Sequence, residues 1–319
     1  MKLNVVVIAL AAIVLACASN GTTALAQPSR VFVAAQGSDG NPCTFALPCR
    51  TFQHAHDVVA ANGEIDVLDP AGYGAVTITK AISIQGHGFS GVSVASGGTG
   101  ITINAGPNDA ISLNGLLLDG VGVGQFGIVF SGGKSLSVEN CIARNFAHSG
   151  IDVGSNFSAT LVLTVSNSYF ADNAANGILL QPNGTGAITA SIDRTVLSGN
   201  AFAGLNLIGN ISTGGVRAAV TDSVAANNIS GSNGVGFLVQ SAVNQSVSNL
   251  ALTRSTAIGN SVGVAANGTN ATLRLGQSTV TGNTTSYTAS GGGVVSSYAD
   301  NYIDDNIFIN TAPPPITKK

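Results

Sequence analysis

The sequence predicts an all-β solenoid, in which short strands wind into stacked coils. Three observations predict it. Six asparagines, Asn145, Asn173, Asn200, Asn228, Asn260 and Asn283, recur at gaps of 28, 27, 28, 32 and 23 residues. The last five share a frame. An apolar residue stands eight places before each (Val165, Ile192, Val220, Leu252, Leu275) and a polar one six places before (Asn167, Arg194, Asp222, Arg254, Gln277). The first copy, from Val138 to Asn145, is one residue shorter. Second, from Glu64 onward apolar residues alternate with polar ones, as in Ile65/Val67, Val76/Ile78, Ile82/Ile84 and Ile111/Leu113; a period of two is that of a strand with one buried face. Third, one helical pattern is followed only by strand patterns, which excludes alternating βαβ units. Self-similarity at roughly 20–50 residues marks a solenoid.

The elements follow in order. Residues 1–26 read as a secretory signal peptide. Lys2 is its positive start, Val5 to Ala16 its apolar run, and Ala24-Leu25-Ala26 its small-residue cleavage site. The run is too short for a membrane span, so export is expected. A lipid anchor at Cys17, in Val14-Leu15-Ala16-Cys17, is the rival reading. Residues 27–63 form an irregular entry segment and a helix near Phe52–Ala61, capped by Thr51 and ended by Asn62-Gly63. Residues 64–310 form the coils, with Ile151, Ile178, Leu205 and Val264 facing inward. Residues 311–319, rich in proline and ending in Lys318-Lys319, are expected to be a disordered tail.

Charged residues make up only 8% of the chain, and no cationic cluster precedes the final two lysines. Nucleic-acid binding is therefore not expected, nor is a cofactor. Cys43 and Cys49, in two half-matching Pro-Cys turns, read as a local disulfide in an exported protein, with a metal site as the alternative. Cys141 reads as a small buried hydrophobe.

The chain resembles the right-handed parallel β-helix repeat proteins of the pectin-lyase-like superfamily. Two pieces carry the likeness. One is the entry module from Pro48-Cys49-Arg50-Thr51-Phe52 through Ile65-Asp66-Val67-Leu68-Asp69-Pro70 to Ile82-Ser83-Ile84-Gln85-Gly86. The other is the repeat, for example Val165-Ser166-Asn167-Ser168-Tyr169-Phe170-Ala171-Asp172-Asn173. The resemblance implies a right-handed parallel β-helix with a short N-terminal capping helix. It implies no single activity, because that superfamily includes lyases, hydrolases, epimerases, tail-spikes and adhesins.

Stacking turns sequence offsets into columns at about 4.8 Å per coil. The column Asn140, Asn167, Arg194, Asp222, Arg254, Gln277 puts Asp222 between two arginines. It reads as a structural ion-pair ladder or as a site in which Arg194 and Arg254 grip a uronate carboxylate and Asp222 acts as base. A second column places Arg144 beside Asp172. His54, His56 and Asp57, and likewise His148 and Asp152, read as surface residues. Gly86-His87-Gly88 is similar to a short polygalacturonase motif, but the Asn-Thr-Asp, paired-Asp and Arg-Ile-Lys motifs that accompany it there are absent. The Asn line reads as a stack of turn residues bonding from coil to coil.

Three functions compete. The first is non-catalytic binding of a polysaccharide or cell-surface component. The second is a polysaccharide lyase or glycoside hydrolase with diverged residues built on Arg194, Asp222 and Arg254. The third is a structural or adhesive envelope protein. Sugar hydrolysis asks for two facing carboxylates about 5–9.5 Å apart, and the chain has only two glutamates, Glu64 and Glu139.

Overall fold

The computed structural model describes residues 26–229 and 233–318. The expected signal peptide and the Cys17 alternative lie outside the described residues. The chain forms a right-handed parallel β-helix with three faces, and every strand pairing is parallel. The first face is built from strands such as Thr160–Ser166, Ala187–Asp193, Gly215–Thr221 and Ser248–Thr253. The second uses three-residue strands, among them Tyr169–Ala171, Val196–Ser198 and Val224–Ala226. The third carries Asn176–Leu180, Ala203–Ile208, Val235–Gln240 and Val262–Asn267.

The alternation sets the core. Ile151, Ile178, Leu205 and Val264 stack in one column on the third face, and each is fully buried, as the pattern predicts. Phe130, Phe146, Phe157, Phe170 and Phe237 fill the interior beside them.

The Asn line is a buried ladder. Asn173 Nδ2 donates to Asn200 Oδ1 at 2.9 Å, and the same bond links Asn200 to Asn228, Asn228 to Asn260, Asn260 to Asn283 and Asn283 to Asn306 at 2.8–3.0 Å. Each Oδ1 also accepts the backbone N–H of the rung above, at 2.9–3.3 Å from Asn173 onward. Each Nδ2 further donates to a carbonyl, such as Leu197 O for Asn228 at 3.0 Å. Every polar atom of the buried amides is thus used. One correction follows. Asn145 is not a rung: Phe146 occupies that place, its N–H donating to Asn173 Oδ1 at 3.1 Å. Asn145 belongs to the adjacent column, Asp172, Gly199, Asn227, Gly259, Gly282 and Asp305, in which every residue has φ between 53° and 67°. The last rung is Asn306, whose N–H is met by Asn310 Oδ1 at 2.8 Å.

A parallel hydroxyl column explains Cys141. Thr195, Ser223 and Ser255 donate their N–H groups to Ser223, Ser255 and Ser278 Oγ, and Cys141 N–H donates to Ser168 Oγ. Cys141 is the thiol member of this column. It is buried, and burial pushes its pKa up to about 11, as expected for an inert core cysteine.

The entry segment differs from expectation. Arg30–Val33 is a strand (β1) that pairs in parallel with Gly63–Val67 (β2), so coil pairing starts before residue 64. Val31 and Val33 point inward; four residues of alternation were too short a signal beside the surrounding turn residues. The helix (α1) runs over Phe52–Val58, three residues shorter than predicted. Thr51 caps it, accepting from His54 N–H at 3.2 Å. Val59 leaves helical geometry at ψ 145° and is fully buried, so core packing ends the helix before Asn62 (φ 61°) turns the chain into β2. Cys43 and Cys49 form the expected disulfide. This also removes a metal reading of Cys43, Cys49 and His54, which lie close together, since bonded sulfurs offer no thiolate.

The tail is not free. Ser297 N–H donates to Pro314 O at 3.0 Å, Ile316 N–H donates to Ser297 O at 2.8 Å, and Lys318 Nζ pairs with Asp300 at 2.7 Å. Proline lacks a donor but keeps its carbonyl, so the segment still docks on the last strand of the first face. Deleting residues 312–319 is expected to cost about 1–2 kcal/mol, the net worth of two backbone hydrogen bonds. Chemical denaturation of the truncated chain measures it, and an unchanged midpoint would return the tail to a loose end.

Candidate functional site

The three charged residues singled out from the sequence lie on one corner, between the first and second faces. Asn140, Asn167, Arg194, Asp222, Arg254 and Gln277 all hold left-handed backbone, with φ between 43° and 52°. Asn and Asp tolerate this region, whereas arginine carries strain on the order of 1 kcal/mol there. Side-chain bonds hold both arginines in place. Arg254 Nε and Nη2 meet Asp222 Oδ1 and Oδ2, each at 2.8 Å, a bidentate pair. Arg194 Nε donates to Asn167 Oδ1 at 2.8 Å, and its Nη1 pairs with Asp193. Asp222 is therefore bonded to one arginine, not shared between two. The Arg254 guanidinium holds the Asp222 carboxyl below its usual range. A carboxylate with both oxygens engaged is a poor base, and each guanidinium already spends two donors on neighbouring side chains. Asp222→Asn should leave thermal stability nearly unchanged, since exposed pairs contribute little; a scanning-calorimetry shift of many degrees would contradict that.

Other expected pairs rearrange. Arg144 Nε bonds Asp119 Oδ2 at 2.9 Å, one coil back, rather than Asp172. The cause is the same one-residue offset that displaced Asn145. His87, at φ 56° in its Gly-flanked turn, pairs with Asp66 at 2.6 Å. His56 is buried, its Nε2 accepting from Thr79 N–H at 3.2 Å, so it supports α1 rather than the surface.

Asp152, like His56, is buried where the sequence suggested a surface residue. It stands in strand Ile151–Val153 on the outward side of the third face and yet is 7% exposed. The same outward column holds Leu179, Asn206, Leu238 and Ala265, also buried. His148 Nδ1 lies 3.7 Å from Asp152 Oδ2, and its ring packs on Phe126 at 4.7 Å. Burial raises the Asp152 carboxyl above its usual value, with His148 opposing the shift. A carboxyl whose pKa is raised by desolvation beside a histidine has the makings of an acid–base pair. With a folded pKa above the unfolded one, ionisation penalises folding fully above the folded pKa and not at all below the unfolded value near 3.8. Asp152→Asn should therefore raise the melting temperature at pH 7, and the gain should vanish as pH falls toward 3. A variant less stable than the parent at pH 7 would show that the carboxylate is needed as an anion.

A larger opening lies at the C-terminal end of the first face. The cleft, of about 1040 Å³, is lined by Thr253, Arg274, Gln277, Tyr298, Asp300 and tail residues 315–318. Arg274 is half-buried there and makes no ion pair among the described residues. A ring, an amide, a hydroxyl and an unpaired guanidinium together can stack on and hydrogen-bond a polar ring such as a sugar.

Comparison with known proteins bears on the fold. A family model described as "Right handed beta helix region" matches residues 65–216. A crystal structure of the pectate lyase Pel9A superposes with a TM-score of 0.57 at 18% identity, covering 88% of this chain and 77% of that one. No curated protein matches the sequence. At that identity the structural likeness carries the fold alone. The coils, the family match over residues 65–216 and the superposition agree on the fold, a right-handed parallel β-helix.

Proposed function

We propose that this protein is exported and binds a polysaccharide without turning it over. The observation that carries this reading is the division of its polar groups. Asp193 with Arg194, Asp222 with Arg254 and Asp119 with Arg144 are engaged in ion pairs, while the cleft beside Arg274 and Tyr298 presents unspent groups. Tyr298 offers a stacking face, Gln277 and Thr253 offer hydrogen bonds, and Arg274 favours an acidic sugar. Likeness to a pectate lyase supports a polysaccharide ligand. The Cys43–Cys49 disulfide and the N-terminal apolar run support export, with a mature chain starting at Gln27.

The test is a panel of acidic and neutral polysaccharides, following binding, reducing ends and unsaturated products together. Binding without product, weakened by Arg274→Ala and by Tyr298→Ala, is the expected result. Repeated turnover would overturn it, and no binding would favour a structural or adhesive role. One observation supports the enzyme reading, the raised carboxyl of Asp152 beside His148. If turnover is found, its loss in Asp152→Asn would move the chemistry to the third face.

A further inference from the structure

A chain of side-chain hydrogen bonds crosses the third face and ends at His148. Gln240 Nε2 donates to Asn206 Oδ1 at 3.1 Å, Asn206 Nδ2 to Asn176 Oδ1 at 3.2 Å, and Asn176 Nδ2 to Ser149 Oγ at 3.4 Å. Asn206, Asn176 and Ser149 are all buried. Ser149 Oγ lies 3.1 Å from His148 Nδ1. Its oxygen already receives a proton from Asn176, so its own O–H is left to donate to that nitrogen. His148 Nδ1 is thereby held as an acceptor. It has no proton to give Asp152, whose Oδ2 stands 3.7 Å away, beyond hydrogen-bond reach. Asp152 accepts no hydrogen bond among the described residues. Its neighbours in the column are Val129 and Leu179. A buried carboxylate with apolar neighbours and no donor is costly, and such groups are rare in folded chains. The corner is reachable from solvent. The His148 side chain is 43% exposed, and the half-buried Phe126 packs its ring on the imidazole at 4.7 Å.

We propose that the His148–Asp152 corner binds a primary ammonium group, as carried by an amino sugar or a polyamine. An ammonium supplies both things that the carboxylate lacks, N–H donors and an opposing charge. A neutral hydroxyl supplies only a donor and leaves the buried charge uncompensated. The ring of Phe126 offers the same cation an aromatic face. The corner lies on the third face, away from the Arg274 cleft, so the inference stands whether or not that cleft takes a polysaccharide.

Calorimetric titration of the full chain at pH 7 tests it, with glucosamine and spermidine as probes and glucose as the uncharged counterpart of glucosamine. At least one amine should bind and glucose should not; which amine binds separates the two sources. Asp152→Asn should weaken that binding by at least about tenfold, as loss of a charge-assisted bond does. Phe126→Leu should weaken it less, by about threefold. Asp305→Asn removes an exposed carboxylate at the far end of the solenoid, makes the same change in net charge, and should leave the affinity unchanged. Failure of both amines to bind would overturn the proposal. So would glucose binding as well as glucosamine, full affinity in Asp152→Asn, or an equal loss in Asp305→Asn.

Discussion

Replacing Leu205 by Asp is expected to cost at least about 4 kcal/mol and to leave the chain largely unfolded at 37 °C. Leu205 is fully buried between Ile178 of the preceding coil and Phe237 of the next. Its column is apolar on both sides, so a carboxylate placed there finds no donor and no counter-ion. Removing the leucine loses about 2–3 kcal/mol of buried apolar surface, and a buried unpaired charge adds several more. A total of that size consumes much of the 5–15 kcal/mol that typically separates folded from unfolded chains. Circular dichroism against temperature and urea reads it directly. A midpoint within a few degrees of the parent would mean that the column is not the interior.

The second large effect is expected at the middle of the amide ladder. Asn228→Ala removes the acceptor of two hydrogen bonds from Asn200, one from its N–H and one from its Nδ2, each 3.0 Å. It also removes the donor to Leu197 O and to Asn260 Oδ1. Four buried groups, Asn200 N–H, Asn200 Nδ2, Leu197 O and Asn260 Oδ1, each lose a partner. At about 1–3 kcal/mol each, with some relaxation, the loss should be about 3–5 kcal/mol. Asn228→Asp would be a sharper version, since a carboxylate keeps the acceptor but loses the donor. The control is Asn145→Ala. That side chain donates to Asp119 at 3.0 Å outside the ladder, and its loss should be about 1 kcal/mol or less. Equal losses in the two variants would show that the ladder contributes nothing of its own.

The repeat exposed most of the fold because period and polarity are local properties. The polar residue six places before each rung is as informative as the rung itself. Asn140 to Phe146 and Asp300 to Asn306 keep the same interval, and following the interval rather than the residue type would have excluded Asn145 and found Asn306. β1 was missed because only Val31 and Val33 alternate before turn residues resume. Asp152 was missed for a different reason. Flanked by Ile151 and Val153, it has the pattern of an outward polar residue, and it does point outward. Its burial depends on neighbouring coils, which no local pattern reports. The arginine–aspartate corner was readable as a column, but which arginine Asp222 would choose depends on side-chain reach. Tail docking was hidden because proline was judged by the donor it lacks, not the carbonyl it keeps.

The six-residue interval between the left-handed corner and the ladder rung is constant from Asn140–Phe146 to Gln277–Asn283, while the stretch from one rung to the next corner ranges from 17 residues after Asn260 to 26 after Asn228. All length variation is therefore absorbed on the far side of the coil. For an engineer the solenoid behaves as a rack with fixed pegs and adjustable shelves. Loops can be grafted between a rung and the following corner, and whole coils can be spliced out or duplicated, without disturbing the shared spine. A single-codon deletion inside the six-residue interval has no such freedom: it throws every later peg out of line with those before it.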